Sequence, residues 1–276
     1  MTPLERKTTL NDWAMSVLAD PITKLPAYLN SFSLVEGVVD ARVQLKHTFG
    51  YTDWKIGQDI FETWETDGVG YKGRVDEYKK EIENDRPIYD HFKITGDVLD
   101  VGGLAGTVRE FLPQNTRYIS MDPFIDAITK IPKSKIEAYK CLSEVFNFIG
   151  AVAEFIPFQA ETFDWVHMRS MLDHVQVPDL AIKEACRVLK PNGSILIGLH
   201  VEGGKSGRKP PLILMKDFIK WVFELVGFDK YKDRHTWHPT YNKLLKLISD
   251  NGFTIADSYW QPHWKDQVVY VLAHKV

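Results

Sequence analysis

The chain has 276 residues, 34 basic and 37 acidic, with a formal charge of −3; 44% of its residues are hydrophobic and 26% charged. This is the balance of a soluble globular protein with ample core, and it lacks the basic excess by which charge alone would announce nucleic-acid binding. No apolar run reaches the roughly 18 residues of a membrane span, and the N-terminus shows no signal-peptide hydrophobic region, so a cytoplasmic protein is expected. The two cysteines, Cys141 and Cys186, lack metal-type spacing and read as reduced, buried thiols. The basic run Lys205, Arg208, Lys209 reads as a solvated loop.

Residues 1–88 mix short helical stretches with turns such as ADPITKLP and TDGVGYKG. They are expected to form an N-terminal helical or irregular cap, with a boundary near Pro87 and a second unit over 89–276. From there, short apolar strands alternate with helix-patterned segments. The strand candidates are 97–102, 117–122, 163–168, 194–200, 253–260 and 268–273. Between them PDLAIKEACRVLK (178–190) sets Ala181, Ile182, Ala185 and Val188 on one stripe, the period of an amphipathic helix. TYNKLLKLISDNGF reads as another helix, stopped by Gly252, and SKIEAYKCLSEVFNFIG as an added one. The alternation predicts an α/β, doubly wound, mostly parallel sheet covered on both faces. The last two strands, joined by the short QPHWKDQ turn, should pair antiparallel.

The first strand runs into VLDVGGLAGTV, and in such sheets ligands bind beyond the carboxyl ends of the strands where strand order reverses. A dinucleotide fingerprint starting at Gly102 would need glycine where Leu104 and Thr107 stand, and no phosphate-loop lysine follows. What remains, Asp100-x-Gly102-Gly103-x-x-Gly106, suits a ligand that brings an ammonium or hydroxyl group to the turn and no phosphate. Asp122 ends the next strand, where a carboxylate can accept both hydroxyls of a ribose; otherwise it is a turn residue before Pro123.

These residues, with YISMDPF, AEFIPFQAETFDWVHMRSMLDHV and ACRVLKPNGSILIGL, resemble the class I S-adenosylmethionine-dependent methyltransferases, the small-molecule group in particular. The resemblance covers roughly residues 95 to 200 well and the C-terminus more loosely. It implies a seven-stranded sheet with an antiparallel last strand, and S-adenosyl-L-methionine as cofactor. It further implies that Gly102, Gly103 and Gly106 admit the methionine part, that Asp100 positions its amino group, and that Asp122 with Pro123 holds the ribose. Ala153, Glu154 and Phe155 would lie along the adenine, while Arg169 and Ser170 would face the sulfonium. Leu104 replaces a family glycine; a negative φ is expected there, with the side chain packed over the cofactor. Tyr71 and Arg74 could close over the cofactor carboxylate, or form part of a surface helix. Around LADPITKLPAYLNSFSLVEGVVDARVQL there is a weaker similarity to small zinc-ribbon modules, with Asp20 and Thr23 where thiolates would be.

The acceptor side offers bases. Asp173 and His174 follow the 163–168 strand, and His200 and Glu202 end the 194–200 strand. A Glu-x-x-Glu-His run at the Asp173–His174 position carries a metal in ubiquinone-pathway O-methyltransferases. Here Ser170 replaces its first carboxylate, and His235-x-x-His238 with His263 is thin evidence for an ion, so no metal is expected. One of these three histidines could instead line the acceptor site as a base, and the catalytic candidates are His200, His238, His174 and Asp173. Trp237, Trp260 and Trp264 could line the acceptor site, whereas Trp165 and Trp221 read as core. The expectation is O-methylation of a small-molecule or sugar-like acceptor, with no nucleic-acid or membrane partner and homo-oligomerisation left open. N-methylation, a non-catalytic cofactor binder, and more distantly a nicotinamide dehydrogenase are the alternatives.

Overall fold

The computed structural model describes residues 10–45, 51–67, 74–129, 131–207, 214–215, 218–219, 222, 235–262 and 266–276. Its centre is β3 (Asp97–Val101), with every residue buried as befits a strand covered on both faces. From β3 the chain steps outward through β4 (Arg117–Asp122) to β5 (Asn147–Gly150). It then returns to the other side of β3 for β6 (Phe163–Arg169) and β7 (Leu189–His200). These five strands are mutually parallel, and the order reverses between β3 and β6, so their carboxyl ends open a crevice. β8 (Phe253–Trp260) and β9 (Val268–Lys275) complete that side, with β9 antiparallel to both β7 and β8 as predicted.

The sheet has nine strands where seven were expected. A hairpin of β1 (Ser33–Val35) and β2 (Val38–Asp40) comes from the N-terminal region, and β2 lies parallel to β5, giving the order β1-β2-β5-β4-β3-β6-β7-β9-β8. In the stretch compared with zinc-ribbon modules, the Asp20 carboxylate accepts the backbone N–H groups of Ile22 and Thr23 and closes a turn. β5 corrects the helix expected over 134–150. Only α5 (Lys133–Ala138) and a 3-10 turn form there, because the fully buried NFIG run has no alternation to mark it as a strand.

Among the described residues, the other α-helices that position the sheet are α1 (Asp12–Ser16), α2 (Tyr51–Asp67), α3 (Val75–Phe92), α4 (Ile125–Thr129), α6 (Pro178–Val188) and α7 (Tyr241–Asp250). α6 and α7 match the two predicted helices, and the Ala181, Ile182, Ala185, Val188 stripe is buried. Pro87, near the expected boundary, lies inside α3, whose Tyr78, Ile82, Ile88, Tyr89 and Phe92 are buried. The amide of Asn11, which caps α1, donates to Asn147 of β5, a second tie between the N-terminal region and the sheet. No helix among the described residues is long and apolar enough to cross a membrane. Both cysteines are free thiols, Cys141 buried and Cys186 partly so.

Candidate functional site

At the end of β3 the backbone turns through Gly102 (φ +73°), Leu104 (φ +41°) and Gly106 (φ +69°). Leu104 thus takes the left-handed conformation, against the negative φ expected. The turn is tied on both sides: the Gly102 amide donates to Met121 O at 2.8 Å, Ser120 Oγ to Leu104 O at 3.1 Å, and the Gly106 amide to Gly103 O at 2.8 Å. A side chain at Gly103 would put Cβ 2.3 Å from Asp100 Oδ2, and one at Gly102 would lie 2.6 Å from Met171 Cβ.

Asp100 points beneath this turn, not into the crevice. Its carboxylate accepts from the Tyr118 hydroxyl at 2.5 Å and meets His167 Nδ1 at 2.7 Å, while His167 Nε2 lies 3.2 Å from the Tyr89 hydroxyl. Asp100 and His167 are almost fully buried, and burial holds both tyrosine hydroxyls well above their ordinary pKa. From this position Asp100 supports the turn from below.

The crevice holds a cavity of about 660 Å³. One half is lined by Gly102, Leu104, Asp122, Pro123, Ala153 and Ser170, all expected there from the sequence. Asp122 Oδ1 accepts the Phe124 amide at 2.9 Å, which fixes the carboxylate at the strand end. Glu154 also lines the wall, but its carboxylate accepts the Gln176 and Val177 amides at 2.7 and 3.1 Å, and burial pushes its pKa up. Phe155 faces the Lys24 ammonium, 5.6 Å from its ring centre, and does not line the cavity.

Arg169 and Ser170 part company where β6 ends and the backbone turns into the left-handed region. Ser170, at φ +49°, lines the cavity. Arg169 turns to the α3 side and pairs with buried Asp85 at 2.5 Å, which also accepts from Gln261 at 2.9 Å. Arg74 is exposed and serves as the N-cap of α3, 3.7 Å from Glu77, so it does not reach the cavity. Tyr71, Arg208, Lys209, Trp221, His263 and Trp264 lie outside the described residues.

The other half of the cavity is roofed by Trp54, Gln58 and Phe61 of α2 and closed by Met171, His174 and His235. Trp54 Nε1 and Gln58 Nε2 both donate to the His174 carbonyl, at 2.8 and 3.0 Å. The Phe61 ring meets His174 edge-on at 4.3 Å, and the two imidazoles sit 4.5 Å apart. Asp173 lies beside both, its Oδ1 3.8 Å from His174 Nε2 and its Oδ2 3.8 Å from His235 Nε2. The Thr236 amide donates to Asp173 O at 2.8 Å, joining the two segments.

His238 is exposed, with its ring 5.8 Å from that of His235, and does not line the cavity. His200 is likewise exposed at the end of β7, 3.4 Å from Gln267 Oε1 and outside the cavity wall. Trp237, Trp260 and Trp165 pack against the apolar core. Sequence reasoning missed the α2 roof and the meeting of His235 with Asp173. The roof had a signal, since Trp54, Gln58 and Phe61 fall four and three residues apart on one helical face.

Residues 99–197 match a methyltransferase-domain family. The ubiquinone/menaquinone biosynthesis C-methyltransferase UbiE of Citrobacter koseri is 26% identical over 177 residues, 59% of this chain and 68% of that protein. The same enzyme of Shewanella halifaxensis is 25% identical over 176 residues, 56% of this chain and 65% of that protein. In fold, the chain is similar to the 1,6-didemethyltoxoflavin-N1-methyltransferase of Burkholderia thailandensis, solved with 1,6-didemethyltoxoflavin and S-adenosylhomocysteine. The TM-score is 0.53 at 16% identity, over 87% of this chain and 94% of that one. TnmH gives the same TM-score at 13% identity, over 84% of this chain and 64% of that one.

Proposed function

The chain carries a class I S-adenosylmethionine-dependent methyltransferase domain, and from that premise we propose that it methylates a hydroxyl oxygen of a small, largely apolar acceptor. The observation that carries this reading is one continuous cavity with the glycine turn and Asp122 at one end and His174 and His235 at the other, Asp173 standing behind these two imidazoles. The cofactor end fits its ligand. Gly102 lines the cavity with backbone alone, its Cβ position already closed by Met171, and Asp122 offers a carboxylate to a diol. S-adenosylmethionine supplies an electrophilic methyl group on a sulfonium.

The chain's residues do the rest by placement, which can be worth about 7–11 kcal/mol. Leu104, Met121 and Val152 keep water from the reacting atoms, and the Trp54 and Phe61 rings give a flat acceptor its walls. A hydroxyl directed at His174 or His235 can pass its proton to an imidazole as the oxygen lone pair forms the new bond to carbon. The Asp173 carboxylate beside both rings stabilises the imidazolium, and such base catalysis contributes about 10²–10⁴ in rate. A proton-accepting end favours oxygen over an amine, which needs desolvation more than a base. The toxoflavin relative is by name an N-methyltransferase and the UbiE relatives are C-methyltransferases, so the methylated atom has to be measured.

The experiment is incubation with S-adenosylmethionine and a panel of phenols, catechols, aryl amines and sugars, with products identified by mass spectrometry. Methyl ethers of flat hydroxylated acceptors are expected. Exclusive N- or C-methyl products would overturn the oxygen assignment, and cofactor binding with no product from any class would favour a binder.

A further inference from the structure

We propose that His167 is a positioning residue for cofactor binding, acting through Asp100 to fix the support on which the glycine turn rests. The proposal goes beyond the choice of acceptor and depends only on S-adenosylmethionine as the ligand of that turn. His167 does not line the cavity. It lies on β6 directly beside Asp100 of β3, the two being register partners in the parallel ladder, and both are almost fully buried.

Two glycines of the turn sit directly on buried polar side chains. A Cβ on Gly103 would stand 2.3 Å from Asp100 Oδ2, and one on Gly106 would stand 3.1 Å from the Tyr118 hydroxyl. These two groups are themselves joined, since Tyr118 donates to Asp100 Oδ2 at 2.5 Å. The carboxylate is thus a spacer beneath Gly103. In a close-packed interior, a rotation that lifts Oδ2 pushes on the backbone facing the cofactor. Two groups oppose that rotation: Tyr118 at one oxygen, and His167 Nδ1, 2.7 Å away, at the other.

The far side of the imidazole is held as well. Nε2 lies 3.2 Å from the Tyr89 hydroxyl, and the Tyr89 ring stacks on Phe111 with 4.5 Å between centres. Phe111 ends the 3-10 segment Thr107–Phe111 by which the chain leaves the turn. Burial keeps the Tyr89 hydroxyl protonated, so it can donate to Nε2 while Nδ1–H donates to Asp100. A neutral imidazole in that tautomer has both nitrogens satisfied, and carboxylate, ring and phenol form one chain across β3, β6 and α3. Without the ring, Asp100 Oδ1 is left buried and short of its donor, and the carboxylate turns towards another.

The test compares two variants of the full chain, each keeping one hydrogen bond of the ring and losing the other. In His167→Asn the side-chain amide stands near the Nδ1 position and donates to Asp100. In His167→Gln it reaches the Nε2 position and leaves Asp100 without its donor. Both lose the ring's packing, so their melting temperatures should fall alike. S-adenosylhomocysteine affinity in calorimetry should fall about 10- to 100-fold in His167→Gln and be restored to within about threefold of wild type in His167→Asn. The double variant His167→Gln/Asp100→Asn should bind no more weakly than Asp100→Asn alone, because the ring acts through that carboxylate. Wild-type affinity in His167→Gln, equal losses in the two single variants at position 167, or additive losses in the double variant overturn the proposal. Tyr118→Phe serves if substitution at position 167 unfolds the chain. It removes only the hydroxyl at the other carboxylate oxygen and should weaken binding about 10-fold; unchanged affinity there overturns the proposal too. A wild-type protein that binds no S-adenosylhomocysteine would instead sink the cofactor assignment itself.

Discussion

Leu104 offers a measurement of the turn itself. An L-residue held in the left-handed region costs about 1–2 kcal/mol, because Cβ crowds the following carbonyl. Glycine escapes that cost but gives up about 0.5–1 kcal/mol in chain entropy relative to alanine. Leu104→Ala and Leu104→Gly both remove the isobutyl group from the cavity wall, so their lost packing nearly cancels in the comparison. At φ +41°, with the carbonyl tied to Ser120, alanine cannot relax into a more ordinary conformation without breaking that bond. The glycine variant should therefore be the more stable of the two by about 0.5–1 kcal/mol, or roughly 1–3 °C in midpoint for a chain of this size. Urea unfolding of both variants, without cofactor and with matched slopes, reads the difference. An alanine variant equal to or more stable than the glycine variant would refute the left-handed turn.

Four further outcomes are expected. Asp122→Ala should weaken S-adenosylhomocysteine binding about 10- to 100-fold in calorimetry, the worth of a charged acceptor on a diol. Gly103→Ala should lower the melting temperature and abolish cofactor binding together, since its Cβ would press on Asp100 and Ser120. Burial raises the Asp97 carboxyl, but hydrogen bonds from Arg117 and Lys190 outweigh it and leave the pKa below its ordinary 3.8. Its stabilisation is then present above about pH 4 and lost as the pH falls below that. Asp97→Asn should accordingly cost more stability at pH 7 than at pH 3, read by urea midpoints at both. Burial pushes the Cys141 thiol up to about 12, so Ellman's reagent at pH 8 should leave Cys141 unmodified in the native protein, as peptide mapping would show.

The sheet from β3 onward was legible because its strands are apolar and its intervening helices carry a 3.6-residue stripe. β5 was not, since burial on both faces erases the alternation that separates a strand from a helix. The crevice was legible as a local signal, a strand followed by its turn, and Gly102, Leu104, Asp122 and Ser170 line the cavity there. Arg169 and Asp100 show the limit of that signal. Adjacency to a motif does not say which side of the sheet a side chain takes, and buried Asp85 and His167 claimed these two. The acceptor end depended on chain segments far apart in sequence. Nothing in His235-x-x-His238 foretells that His235 lies beside Asp173 while His238 stays outside.

Two side chains one helical turn apart, Trp54 and Gln58, share a single carbonyl oxygen as their acceptor. The roof and the floor of the acceptor chamber are therefore one mechanical part. Displacing α2 would break both bonds at once and loosen the loop that carries His174, so the seating of the helix and the position of that imidazole vary together.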